Sequence, residues 1–211
     1  MQLKFQQVLP EPLKKNDSSE VWNKNWSLAP RGKLFLKAAS GKGKSSFIHI
    51  LYGLRKDYAG SVSWENQDIK ENTDEQWAGL RQNKLSIVFQ DLRLFDELSV
   101  LENIEIKQLL TPGASIEKIR EHLDFLGLGN KSNQKAGTLS YGEKQRVAII
   151  RALVQPFSWL LLDEPFSHLD DENIEKAVQL IARETNERKA GLIMVDLEDD
   201  NWFNFTRKMT L

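Results

Sequence analysis

Cysteine is absent from the 211 residues, which removes disulfides and thiolate metal sites from consideration and suits a reducing compartment. Long apolar runs are missing too. The longest, such as Trp159 to Leu162 and Leu192 to Val195, are strand-sized and fall far short of the roughly 20 residues a helix needs to span a bilayer. Any membrane role would be peripheral. Charge of one sign is not in excess, since 29 Lys and Arg stand against 30 Asp and Glu for a net charge of -1, and no long basic block supplies a phosphate-backbone footprint. Nucleic acid is not the expected partner. Met1 leads into Gln-Leu-Lys-Phe without the apolar stretch of an export signal, so a cytoplasmic chain is expected.

What is present is enough for a full core: 40% of the residues are hydrophobic, which fits one domain or one domain carrying a subdomain. Residues 10 to 20, PEPLKKNDSSE, read as a turn after an opening strand. In Val21 to Leu28, Trp22, Trp26 and Leu28 alternate with polar neighbours and predict a half-exposed strand. KLFLK at 33 to 37 predicts a strand, and a helix follows whose Phe47, Ile50, Leu51 and Leu54 recur at helical spacing. LSIVFQ at 85 to 90 is a further strand, after which residues 91 to about 155 read as mostly helical. Within them Ile116, Ile119, Leu123 and Leu126 form one stripe that stops at Gly127 or Gly129. WLLLDE then gives a strand, Asp171 to Lys189 a helix with Ile174, Ala177, Val178 and Ile181 inward, and GLIMV at 191 to 195 another buried strand. Alternating strands and helices, several strands apolar on both faces, predict a parallel sheet flanked by helices.

Between the KLFLK strand and its helix lies AASGKGKSS, residues 38 to 46. The phosphate-loop pattern G-x-x-x-x-G-K-[ST] maps onto it with Ala38 in place of the first glycine, then Gly43, Lys44 and Ser45. A phosphate cradle needs backbone N–H groups converging on one cavity, little side-chain bulk, and the positive end of a helix behind it. Gly41 and Gly43 meet that need, and Ala38 is tolerable at the strand exit provided its φ stays negative. The loop as a whole, Ala39, Ser40, Gly41, Lys42, Gly43, Lys44, Ser45 and Ser46, is the expected phosphate site. Lys44 would reach the terminal phosphates and the Ser45 hydroxyl would face Mg²⁺. Taken alone, such a loop also reads as a glycine turn before an amphipathic helix. WLLLDEP, residues 159 to 165, ends an apolar strand in two carboxylates: Asp163 would hold the metal, and Glu164 would orient and deprotonate a water. That segment alone also reads as a core strand with an acidic end.

TLSYGEKQRVAIIRAL, residues 138 to 153, separates these readings. Ser140 and Glu143 have the S-x-x-E spacing of a capping box, and a helix start bearing Ser and Gly is suited to a phosphate. Here the chain resembles the ATP-binding cassette family, whose signature L-S-G-G-Q appears as Leu139, Ser140, Tyr141, Gly142 and Glu143, with two positions changed. The resemblance covers nearly the whole chain in the family's order. It implies that Gln90 in VFQD is the Q-loop glutamine, contacting metal and attacking water, and that SHLD at 167 to 170 is the D-loop, with Asp170 at a dimer contact. The implied fold is α/β, a P-loop NTPase with a parallel core sheet flanked by helices, N-terminal antiparallel strands and an inserted helical subdomain. One domain would span 1–211, with 1–90 and 156–211 as core and 91–155 as the arm.

The family further implies ATP and Mg²⁺ as cofactors and a head-to-tail homodimer, each nucleotide lying between the phosphate loop of one copy and Ser140 and Gly142 of the other. Integral membrane permease subunits would be the partners, which places the chain at the inner face of the cell membrane. FQDLRLFDELSVLENI, 89 to 104, resembles the lipoprotein-release and cell-division branch. Two departures bear on rate and specificity. The family's histidine after the last core strand falls at Leu197, which cannot donate a hydrogen bond, and His49, His122 and His168 lie elsewhere. This predicts slow hydrolysis, or in the alternative a nucleotide-gated module whose hydrolysis is vestigial. The aromatic that stacks adenine is missing near Val8, Leu9 and Pro10, leaving Phe5 or Trp22 as substitutes.

Overall fold

A computed structural model of the chain describes every residue except 12, 14–18, 40, 111–112 and 199–201. Two sheets organise it. β1 (Leu3–Pro10) pairs antiparallel with both β2 (Asn25–Leu28) and β4 (Tyr58–Trp64), and the short β5 (Gln67–Asp68) completes the order β2-β1-β4-β5. The second sheet takes β3 (Lys33–Lys37), β6 (Leu85–Val88), β7 (Trp159–Asp163), β8 (Gly191–Asp196) and β9 (Arg207–Thr210) in the order β6-β7-β8-β3-β9, with every pairing parallel. Helix α1 (Lys44–Leu51) follows β3, and α2 (Asp74–Asn83) precedes β6. The helices α3 (Val100–Leu110), α4 (Ile116–Phe125) and α5 (Tyr141–Val154) come between β6 and β7, and α6 (Asp171–Glu187) between β7 and β8.

The strand period of two divides the apolar residues between two cores. Phe35, Leu160, Leu162, Leu192 and Met194 face the helical side, where they meet Ile104, Leu123, Val147, Ile150 and Ile181. Their neighbours Leu34, Leu36, Trp159, Leu161, Ile193 and Val195 face α1 and the antiparallel sheet, against Phe5, Phe47, Ile48 and Val62. The central strands are therefore apolar on both faces through their middles, as a sheet covered on both sides requires. Because all five strands run the same way, the ends of β3, β6, β7 and β8 emerge at one edge. Ligands of open parallel sheets bind at that edge.

The expected α/β architecture is present, with local differences. The strand expected over Val21–Leu28 is confined to β2, because Val21 and Trp22 bury themselves in a turn and Asn23 takes φ 60. Leu54 is not on the inward stripe of α1: the helix ends at Leu51, Gly53 turns the chain with φ 72, and Leu54 is exposed. Leu126 and Gly127 do close α4, with Gly127 at φ 68. Most of the turn over residues 10 to 20 lies outside the described residues. β4 and α2 were not anticipated, though α2 announces itself by a Thr73–Gln76 capping box.

Candidate nucleotide site

The phosphate loop leaves β3 through Ala38, which is buried, has no positive φ, donates to the Asp196 carbonyl at 3.0 Å and accepts from Lys44 Nζ at 3.1 Å. The alanine thus occupies an ordinary strand-exit position. Gly41 and Gly43 supply the left-handed turns, φ 76 and 98, and a Cβ on Gly43 would stand 2.6 Å from Leu13 Cδ1. The left-handed conformation favours glycine at 43, and the neighbouring side chains leave little room for a larger residue. Gly43 also caps α1 without any side-chain hydrogen bond, so no side chain of the cap occupies the positive helix end. Lys42 closes the turn through its N–H to Ala39 O at 3.3 Å, and its own carbonyl accepts from Trp22 Nε1 at 3.2 Å. The Ser46 hydroxyl accepts from Arg55 at 2.6 Å. Ser40 lies outside the described residues.

The acidic end of β7 meets this loop. Lys44 Nζ stands 3.1 Å from Glu164 Oε1, and Gln90 Nε2 donates to Glu164 Oε2, also at 3.1 Å. Lys44, Gln90 and Glu164 therefore form one contact set at the strand ends, although 46, 74 and 120 residues respectively separate Lys44–Gln90, Gln90–Glu164 and Lys44–Glu164 in the chain. Glu164 carries φ 47, a strained conformation for a side-chain-bearing residue, fixed by its N–H to Val195 O at 2.9 Å. Asp163 is 3% exposed, and its Oδ1 has no hydrogen-bond partner. Burial, then the charge of Glu164, pushes its carboxyl up to about 6. Ser45, Gln90 and Asp163 line one cleft, and Gly41, Gly43, Lys44, Ser45, Gln90 and Glu164 line the adjoining one.

Ser140 and Asp170 are both N-caps. The Ser140 hydroxyl accepts from Glu143 N while the Glu143 carboxylate accepts from Ser140 N, and Lys131 pairs with Glu143. Asp170 accepts from Asn173 N at 2.9 Å. Gly142 sits so close to His168 that a Cβ would stand 2.8 Å from its carbonyl oxygen. Among the described residues neither Ser140 nor Asp170 hydrogen-bonds to the phosphate loop of its own chain. The loop-side residues converge; Ser140 and Asp170 are exposed and, among the described residues, hydrogen-bond to none of them.

Leu197 follows β8 and lines a cavity with Glu164, Phe166, Asp196 and Trp202, so an apolar side chain stands beside the candidate base. Neither aromatic expected to receive adenine is available. Phe5 is buried, its ring 4.4 Å from Trp26 and 5.4 Å from Phe47, and Trp22 is buried with its indole N–H already spent on Lys42. Leu13 is the apolar residue beside the loop.

Two positioning residues escaped the sequence reading. Gln145, buried on α5, donates to the Glu164 carbonyl at 3.2 Å and accepts from His168 N at 3.1 Å. Arg151 donates to Leu92 O and Arg93 O at 2.5 and 2.6 Å. An arginine within the apolar run AIIRAL was a signal; nothing marked Gln145.

Comparison with known proteins extends the geometry. The family profile described as ABC transporter matches residues 21–167. The lipoprotein-releasing system ATP-binding protein LolD of Buchnera aphidicola subsp. Schizaphis graminum is 40% identical over 150 residues, 70% of this chain and 66% of that protein. The protein of the same name from Myxococcus xanthus is 39% identical over 169 residues, 78% and 75% of the two chains. A dimeric structure of the ATP-binding cassette MJ0796 bound to ADP and Pi matches with a TM-score of 0.79 at 29% identity, over 93% of this chain and 88% of that one. These resemblances agree with the branch that residues 89 to 104 suggested.

Proposed function

The chain belongs to the ABC transporter family as an ATP-binding subunit, and from that premise we propose that it dimerises head to tail on ATP, hydrolyses it, and drives an integral membrane permease from the cytoplasmic face of the cell membrane. The observation that carries this reading is the 3.1 Å contact between Lys44 and Glu164, which brings the glycine loop and the acidic strand end to one point. ATP hydrolysis in the cassette family, and a dimeric neighbour holding ADP and Pi, favour it over a module with vestigial hydrolysis.

In the proposed site the loop N–H groups and the start of α1 hold the phosphates, and Lys44 exchanges its Glu164 partner for a phosphate oxygen. The freed carboxylate then accepts a proton from a water, whose oxygen bonds to the γ-phosphorus while the bond to the β-γ bridging oxygen breaks; ADP departs with that electron pair. Gln90, already bonded to Glu164, orients the water. The unpartnered Asp163 oxygen, with Ser45 and Gln90 beside it, fits a divalent cation. Magnesium bound there would supply neutralisation of charge developing on the phosphate oxygens. With Leu197 in place of a donor, turnover is slow.

The exposed starts of α5 and α6, bearing Ser140, Gly142 and Asp170, contact the nucleotide and loop of the second copy. For the permease, the reading is supported by a cleft between α2 and α3 that combines Arg81 and Lys107 with Tyr52 and Leu110, beside the exposed Leu109. A cytoplasmic segment presenting acidic and apolar side chains suits it. No helix of the described residues is long and apolar enough to cross a membrane, so the spanning elements of such an assembly come from the partner.

The test is a pair of variants. Glu164→Gln should abolish phosphate release and leave an ATP-dependent dimer on size exclusion, whereas Lys44→Ala should lose both hydrolysis and dimer. A Glu164→Gln protein that stays monomeric at saturating ATP, or a Lys44→Ala protein releasing phosphate at the wild-type rate, would sink the reading.

A further inference from the structure

Tyr141 stands where the family signature has glycine, and its side chain makes contacts that glycine cannot. Its hydroxyl donates to the Gln90 carbonyl at 3.3 Å, and its ring packs edge-on against His168 with centroids 4.1 Å apart. The ring remains 46% exposed and lines the cleft that holds Ser45, Gln90 and Asp163. One residue of the signature turn thus touches both the Q-loop and the D-loop of its own chain.

The segment it touches is poorly able to hold itself. Leu92 and Arg93, just beyond Gln90, take φ 56 and 51 in succession, a conformation that side-chain-bearing residues adopt at a cost. External hydrogen bonds fix it, and they come from the same helix: Arg151, near the far end of α5, takes the carbonyls of Leu92 and Arg93. Gln145, one turn on from Tyr141, holds the Glu164 backbone and the His168 N–H. A helix is stiff along its length, so displacement of its first turn is felt at all three points. From Tyr141 Oη the connection runs through the main chain of Gln90 to its amide, and from that amide to the Glu164 carboxylate.

We propose that Tyr141 is a positioning residue through which the signature turn of one copy sets Gln90 of the same copy, so that the two nucleotide sites of the dimer turn over as a coupled pair. The inference rests on the head-to-tail reading given above: the signature turn reports on nucleotide in the other copy's loop, whereas Gln90 serves its own. In this chain the coupling runs through a phenol on a residue that is 46% exposed.

Steady-state hydrolysis by the wild type, Tyr141→Phe and Tyr141→Gly across ATP concentration tests it. Phenylalanine keeps the ring on His168 and removes only the hydroxyl. It should lower kcat about threefold and move the Hill coefficient from above one toward one, with KM little changed. Glycine, losing the ring as well, should lower kcat further. A Tyr141→Phe protein with wild-type kcat and Hill coefficient overturns the proposal. So does a wild-type Hill coefficient of one, or a rise in KM at unchanged kcat, which would mark the ring as a nucleotide contact instead. Size exclusion of the Glu164→Gln and Tyr141→Phe double variant separates the two levels. An ATP-dependent dimer leaves the kinetic outcome to decide on Tyr141, whereas no dimer even for Glu164→Gln alone removes the reading on which it stands.

Discussion

Two buried carboxylates, one at the end of β7 and one on α6, have opposite environments. Asp163, at the end of β7, has an oxygen without a partner and a carboxyl pushed up to about 6, first by burial and then by Glu164. Glu184, on α6, is fully buried too, yet Oε1 meets Lys118 Nζ at 2.8 Å and His122 Nε2 at 3.2 Å, and Oε2 pairs with Arg188. Burial would raise that carboxyl, but the hydrogen bonds from His122, Lys118 and Arg188 outweigh it and hold the group well below the usual carboxylate range. The contrast separates a structural charge from a functional one. Where the fold itself needs a buried anion, it supplies the counter-charges; the oxygen it leaves unpartnered beside the glycine loop is, in the proposed site, the one a cation would meet.

The largest expected effect comes from breaking the compensated site. Glu184→Ala leaves Arg188 and Lys118 facing a void between α4 and α6, and should cost about 3 kcal/mol, lowering Tm by roughly 10 °C. The sign with pH follows from the depressed carboxyl. Its contribution is fully present above the ordinary value of 4.5 and is lost progressively as pH falls from there toward the depressed folded value, so the gap between wild type and Glu184→Ala should narrow only in strong acid. Denaturant melts at pH 7 and at about pH 3 check both points. A gap that stays constant with pH would mean the carboxylate's charge is not what holds α4 to α6.

Next in size is the polar group that the proposed site lacks beside Glu164. Leu197 lines the cavity beside Glu164, and an imidazole there would offer the γ-phosphate a donor that leucine lacks. Leu197→His should raise kcat about tenfold with KM little altered, because the contact forms mainly as charge develops. An unchanged kcat would show that slow turnover, if measured, originates elsewhere.

The two regions were also unequally legible in the sequence. β3, β7 and β8 declared themselves by apolar runs, the phosphate loop by its glycine spacing and Glu164 by the acidic end of a strand, whereas Gln90 was expected only from the family resemblance. β4 did not, since YAGSVSW buries only Tyr58, Val62 and Trp64 among small and polar residues, and α2 was hidden because Trp77 is its one buried side chain. Phe5 and Trp22 were expected at the adenine because a sequence cannot distinguish an aromatic that stacks on its own core from one that awaits a ligand. For the same reason the Glu184 cluster went unnoticed: Lys118, His122 and Arg188 look like ordinary surface charge until α4 and α6 are docked.

The smallest effect is the most direct test of the difference between the carboxylates. If Asp163 is kept ionised for a cation, its unpaired charge burdens the nucleotide-free fold, and removing that charge should stabilise it. Asp163→Asn should therefore raise Tm in the presence of a chelator by a few degrees, on the order of 1 kcal/mol, because the buried amide that replaces the charge still lacks a full set of partners. Added magnesium and ATP should reverse the order, since the wild type gains binding free energy that the variant cannot. Glu184→Gln, by contrast, should be less stable than the wild type in both conditions. If Asp163→Asn also proved less stable in chelator, then Asp163 is held by its surroundings as firmly as Glu184 is, and an unpartnered oxygen at this strand end would no longer distinguish a metal-binding carboxylate from a structural one.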